Sequence, residues 1–277
     1  GTNAAGVNRS VSQSYTLKVT DPASYPFQLP LTLSGYTGSS SLSQFPVLIE
    51  LNSSITGFSY NSFQSPKGDD LRFFTSDGEE LPYEIETWNL SGTSRIWVRS
   101  GIISGNSTVI TAAWGKSTDS SSPSYVADKS AWSNGYHGAW HFQNLIGSAL
   151  ADSSPKNHQG TAEGDGVSVT AGQVGQGVTL DGSDDLVNLG RSAGNPGSVF
   201  TVSFWAKMTA GANINEGDRL FSNKSSNNGT AGWHLYKGST STTRLYLKTS
   251  GSQARYKTAV NQWNNGNWYH LAVAING

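Results

Sequence analysis

Apolar and polar side chains alternate almost wherever a run of this chain can be read. SYTLKVT, residues 14–20, sets Tyr15, Leu17 and Val19 against Ser, Thr and Lys. FTVSFWAKM, from residue 200, puts Phe200, Val202, Phe204 and Ala206 on one face. RLYLKT (244–249) and WYHLAVAI (268–275) repeat the period. Successive side chains of a strand point to opposite faces, so each run reads as a half-buried strand with one wet face. No long stretch has helical spacing. The fold class expected is all-β. A sheet with one apolar face must bury it against another layer, so the expected architecture is two β-sandwich, jelly-roll-like domains in tandem. The 277 residues suit one large or two ordinary domains, because single cores stop growing near about 250–300 residues.

Composition narrows the function classes. The 9 Trp and 11 Tyr supply core material, which excludes a disordered chain. With 18 basic and 19 acidic residues, a net charge of −1 and no cluster of like charge, a nucleic-acid surface has no electrostatic basis. Cysteine is absent, which removes disulfides, thiol catalysis and zinc thiolates. No apolar stretch approaches the roughly 18–20 residues that span a bilayer. GTNAAGVNRS has no signal-peptide core, and the start at Gly1 reads as that of a mature or excised piece with any export signal upstream.

Two breaks divide the chain. DPASYP (21–26) places two prolines after a complete strand, and proline cannot continue a central ladder. GKSTDSSSPSYVADKS (115–130) is polar and Ser-rich and reads as a linker or long loop. The expected division is residues 1–22 as the last strand of an immunoglobulin-like repeat or a leader segment, 23–118 as a small β domain, 119–135 as a linker, and 136–277 as a second sandwich. Asn276-Gly277 is a hairpin-turn dipeptide. The second sandwich is therefore expected to lack its last strands, which a second chain or a downstream segment would supply.

The motifs GAWHFQ, SPKNHQGTAEG, GQVGQGVTLDGSDDLVNLG, FTVSFWAKM, RLFSNK, GWHLY and WYHLAVAING follow in order over about residues 136–277. This run resembles the concanavalin A-like lectin/glucanase superfamily in its laminin-G-like branch. FPVLIELN, GDDLRFFTSDGEELPYEIETWN, RIWVR and STVITAAWGK are similar to the bacterial domain of unknown function 2341, a family that sits ahead of laminin-G-like modules in large surface proteins. SQSYTLKVTDP is similar to the closing strand of cadherin- or immunoglobulin-like repeats. The order implies a bacterial surface or secreted protein. The role implied is a non-catalytic binding or adhesion module at the cell surface or outside the cell, with a glycan or other cell-surface molecule as partner. The alternatives are a spacer in a surface stalk and a glycoside hydrolase of concanavalin-like fold.

LDGSDDLVNLG (180–190) sets Asp181, Asp184 and Asp185 within five positions of a chain that is only 13 % charged. One reading is a hairpin loop whose aspartates accept backbone N–H bonds. The other is a hard-cation site, since Ca²⁺ takes carboxylate and carbonyl oxygens on loops and would cancel the repulsion. The resemblance implies calcium on such loops in some relatives. Asp181 and Asp184 are candidate ligands, together with Asp152 and Asn157 from the polar loop over residues 152–160.

PYEIETWN (82–89) is the enzymatic candidate. Glu84 and Glu86 share a strand face about 6.6–6.8 Å apart along the backbone, and side chains can close that to the roughly 5–5.5 Å of a retaining glycosidase. Paired carboxylates on one strand also occur in laminarinase-type glucanases of concanavalin A-like fold. Here the middle acid is Glu rather than Asp, and Trp88 or Asn89 stands where a further Glu is expected. A solvated strand face explains the same pattern, so no residue is assigned a catalytic role. His137 and His141 are four apart, but Gly135 and Gly138 argue against the helix that zinc binding would need.

Indole and phenol rings suit stacking on sugars and also fill sandwich cores. Trp233, Tyr236, Tyr246 and Asn228 are the candidate ligand-binding residues, with core packing the competing reading for each ring. Trp205 and Trp268 lie inside alternating strands and read as structural, although Trp205 is out of phase with the apolar face.

Overall fold

A computed structural model describes residues 20–143, 145, 148–193, 195–208, 219–223, 232–237, 243–249, 252–258 and 266–276. Residues 14–19, which hold most of the first alternating run, lie outside the described part, and so does the immunoglobulin-like reading of that segment. The protein is all-β.

The first unit is a sandwich of two three-stranded sheets. One has β1 (Phe27–Leu33), β8 (Thr108–Trp114) and β4 (Arg72–Thr75) in the order β1-β8-β4. The other has β3 (Pro46–Leu51), β6 (Ser94–Arg99) and β5 (Tyr83–Thr87) in the order β3-β6-β5. The short strands β2 (Leu42–Ser43) and β7 (Ile102–Ile103) pair with each other. All pairings are antiparallel. Alternation sets the faces: in β6, Ile96 and Val98 point inward and are fully buried, while Arg95, Trp97 and Arg99 point outward. Between the sheets Leu51, Leu71, Phe73, Tyr83, Ile110 and Trp114 form one core. Pro30 is accommodated because β1, among the described residues, is an edge strand paired with β8 alone.

The Ser-rich stretch read as a linker is folded. Two 3-10 turns, Ser117–Asp119 and Ser130–Trp132, flank a one-turn helix α1 (Ser124–Ala127). Tyr125 and Val126 of that helix pack on the first unit's core. The buried Arg72 guanidinium donates to the carbonyls of Asp119 and Ser121, and the Tyr25 hydroxyl donates to the Asp119 carboxylate at 2.8 Å. The stretch read as a linker or long loop thus supplies backbone carbonyls to a buried arginine.

The second unit begins with β9 (Ala149–Leu150), β10 (Gly160–Glu163), β11 (Ser168–Ala171), β12 (Gln176–Thr179) and β13 (Leu186–Asn188). These form the sheet β13-β10-β9 and the hairpin β11-β12. After the one-turn helix α2 (Gly190–Ala193) comes β14 (Val199–Lys207). Then follow β15 (Arg219–Ser222), β16 (Gly232–Lys237), β17 (Thr243–Thr249), β18 (Ser252–Thr258) and β19 (Trp268–Asn276). β14 pairs with β19 along its full length, and β15-β16-β17-β18 make a separate sheet. Leu271 of β19, Leu235 of β16 and Met208 form a core between these two layers, joined by Phe204, Phe221, Leu245 and Val273.

Candidate functional site

The outer face of β5 and β6 carries the densest polar chemistry among the described residues. Glu84 stands opposite Trp97 in the pairing, and the register shifts between Ile85 and Thr87, so Glu86 sits in a bulge. A bulge re-aims a side chain, and here both carboxylates end on the same face as Trp97. That much agrees with the sequence. The solvated-face reading does not, because Glu86 is 3 % exposed. The second unit covers it.

His141 lies between the two carboxylates. Its Nδ1 is 2.8 Å from Glu86 Oε2 and its Nε2 is 3.4 Å from Glu84 Oε2. The Trp97 indole N–H donates to Glu86 at 3.0 Å, and the Trp132 indole N–H donates to Glu84. Ser153 Oγ donates to Glu84 Oε1 at 2.6 Å, and the Gln143 side-chain amide donates to the Glu86 carbonyl. The imidazole centroid is 5.1 Å from the Trp132 ring and 6.2 Å from that of Trp97. Gly175 approaches so closely that a Cβ there would overlap Glu86 Oε1.

Burial alone would push the His141 pKa down. Hydrogen bonds and charge from Glu84 and Glu86 outweigh it and hold the pKa up, to about 9. Burial alone would likewise raise Glu84. The hydrogen bond and charge of His141, with donors from Ser153 and Trp132, keep it below the usual carboxylate range. His141 is therefore an imidazolium at neutral pH, flanked by two carboxylates and two indoles. No feature of PYEIETWN or GAWHFQ names the other as partner, and the sequence signal for this contact is nil.

A second acidic group lies at the surface. Asp181, Asp184 and Asp185, on the β12–β13 connection, are joined by Asp165 of the β10–β11 connection, with one carboxylate oxygen from each within 4.8 Å of the others. Asp185 accepts from the Gly166 N–H at 3.0 Å and the Asp181 N–H at 2.8 Å, and Asp181 accepts from the Ser183 N–H at 2.7 Å. Backbone donors thus shape the turn, as the loop reading expects, and oxygens of four aspartates converge on it. Gly164 permits the approach, with φ +99° and Asp185 where a Cβ would stand. Sequence reasoning missed Asp165, whose flanking glycines in EGDGV were its only signal.

The other two candidate metal ligands stand elsewhere. Asp152 is fully buried and accepts from the N–H groups of Ala139, Ser154 and His158 and from the Ser154 hydroxyl. Its oxygens are filled by protein donors, so it organises the 139–158 loop. The Asn157 side-chain oxygen accepts from the Lys129 ammonium at 2.9 Å.

Residues 67–131 match the family described as a domain of unknown function, DUF2341, and residues 181–277 match the Concanavalin A-like lectin/glucanases superfamily. The two matches follow one another in the order DUF2341, then concanavalin A-like. No curated protein and no solved structure matches it. The DUF2341 match takes in α1 and runs to the 3-10 turn that delivers Trp132 to Glu84.

The concanavalin A-like unit places its aromatic residues differently from the sequence expectation. Trp233 and Tyr236 are buried at 6 % and 8 % exposure. Trp233 stacks on Phe221 at 5.5 Å and contacts Phe200, and Tyr236 meets His234 edge-on. They are buried rather than presented at a surface, Trp233 under the Phe200 and Phe221 rings. Tyr246 falls on β17, paired with His234; its side chain and all of Asn228 lie outside the described part. Trp205, read as structural, is 44 % exposed on the outer face of β14. In the first unit a cavity of about 510 Å³ opens between β1 and β3. Its lining is mostly apolar, and its one charged residue, Glu50, is paired with Arg95 at 2.8 Å.

Proposed function

We propose that this protein is a non-catalytic binding module of an extracellular or surface-anchored protein, with carbohydrate as ligand and Ca²⁺ at the Asp165–Asp181–Asp184–Asp185 group. The observation that carries the reading is the division of acidic residues. Glu84 and Glu86, the pair with glycosidase spacing in the sequence, hold His141 and two indole N–H groups between the units. The surface acid is gathered on two loops of the lectin-like unit. Four carboxylates within reach of one another match the oxygen donor set a hard cation takes. A bound cation would fix the two connections relative to each other and cancel their repulsion.

The test is a glycan-array screen with and without calcium, run beside an assay for reducing-sugar release. Binding that survives Glu84→Gln, without sugar release, supports the module. Polysaccharide cleavage abolished by Glu84→Gln or Glu86→Gln sinks it in favour of a hydrolase. A second reading, a rigid spacer in a surface stalk, draws on the buried contact between the units. It predicts no ligand in any screen and a fixed angle between units by small-angle scattering.

A further inference from the structure

The outer face of the β14–β19 ladder differs from the other described strand faces of the second unit. The two strands are in register from Val199 opposite Asn276 to Lys207 opposite Trp268. Phe200, Val202, Phe204 and Ala206 share the inner face with Ile275, Val273, Leu271 and Tyr269, and most of them pack on the core. The outer face then holds Trp205 opposite His270 and Lys207 opposite Trp268. The Trp205 and His270 rings are 5.1 Å apart, and the Lys207 ammonium lies 4.9 Å over the Trp268 ring. Trp205, Lys207 and His270 are exposed.

Further along, the same face carries Ser203 opposite Ala272 and Thr201 opposite Ala274, and ends at the exposed Val199 opposite Asn276. The result is a strip with two indoles at one end and small or hydroxyl side chains next to them along the strands. Flanking an indole with a cation holds its ring in place. A large aromatic ring on a wet face, in a strand whose phase would put a polar residue there, forgoes burial that Trp normally takes. Neither strand contains an Asp or Glu, so the fixed charge of this strip is that of Lys207.

We propose that this strip is a binding face for an anionic saccharide, a glycan bearing carboxylate or sulfate groups. The C–H face of a sugar ring would stack on Trp205, its acidic group would meet Lys207, and Thr201 and Ser203 would receive its hydroxyls. Carboxylate or sulfate complements the one sign of charge present, whereas a neutral glycan would leave it unused. The inference rests on the carbohydrate-binding reading above and names its site and ligand class.

The test titrates the full chain with oligogalacturonate and with cello-oligosaccharides of equal length, by calorimetry at two salt concentrations. Wild type is expected to bind oligogalacturonate more tightly, and the difference should shrink at high salt. Trp205→Ala should weaken binding by about tenfold or more, the loss of one ring contact. Trp205→Phe should recover part of it. Lys207→Gln should remove the preference for the acidic ligand and leave the thermal midpoint near that of wild type. Oligogalacturonate binding unchanged in both Trp205→Ala and Lys207→Gln overturns this face and leaves the carbohydrate reading standing. Equal affinity for both ligands in wild type overturns the anionic class. Absence of any glycan binding by wild type, here and on the array, overturns the carbohydrate reading itself.

Discussion

At the residue scale, His141 decides the most. Its imidazolium neutralises two carboxylates, and removing one member of a buried ion group strands the others. His141→Ala should lower stability by about 3–5 kcal/mol, measured as a shift in urea midpoint. The pH dependence has a defined sign. Folding raises the His141 pKa from 6.5 to about 9. Its contribution is therefore complete below pH 6.5 and is lost as pH rises through about 9. Folding lowers Glu84 from its ordinary 4.5, so its contribution is present above that value and is lost as pH falls through the folded pKa. The contact is strongest between pH 4.5 and 6.5. Chemical unfolding followed from pH 4 to 10 should show the wild-type excess over His141→Ala greatest in that window and declining on both sides.

At the scale of elements, the β11–β12 hairpin closes over Glu86 only because position 175 lacks a side chain. Gly175→Ala should cost about 1–3 kcal/mol by overpacking. Because the steric partner is Glu86 Oε1, the double variant with Glu86→Ala should be less destabilised than the sum of the singles. A fully additive cycle would place the hairpin elsewhere. In the second unit, Trp233→Ala should cost about 3–5 kcal/mol, the range for emptying a core of a large aromatic, with oligosaccharide affinity unchanged if the β14–β19 face is the binding surface. The strand faces were legible in both cases. Phe204 and Leu271 point inward, as their phase requires. Trp233 was ambiguous because alternation says which side chains share a face without saying whether that face is covered. The same ambiguity misplaced Trp205 and made EIE look wet.

At the scale of the whole molecule, the first sandwich meets the segment that follows it through Glu84, Glu86, Trp97, Trp132, His141 and Ser153. A chain joined by a slack linker would melt as two independent units. Here calorimetry should show one transition in wild type, resolving into two in His141→Ala. Calcium should raise the midpoint of the concanavalin A-like unit, and a chelator should return it, since a ligand that binds only the native state stabilises it by mass action. Asp184→Asn should abolish that response without altering the melt in chelator. The sequence by itself determined the strand period, the all-β class, the order of the two families and the acidic turn at 181–185. Each follows from spacing along the chain, which local backbone geometry reads directly. Only the tertiary structure decided that two glutamates and a histidine from distant segments share one site, that Asp165 joins the acidic turn, that Asp152 leaves it, and that Trp205 stays in water. Those outcomes depend on which surface covers which, and a free-energy balance between distant segments is not written in the spacing of either.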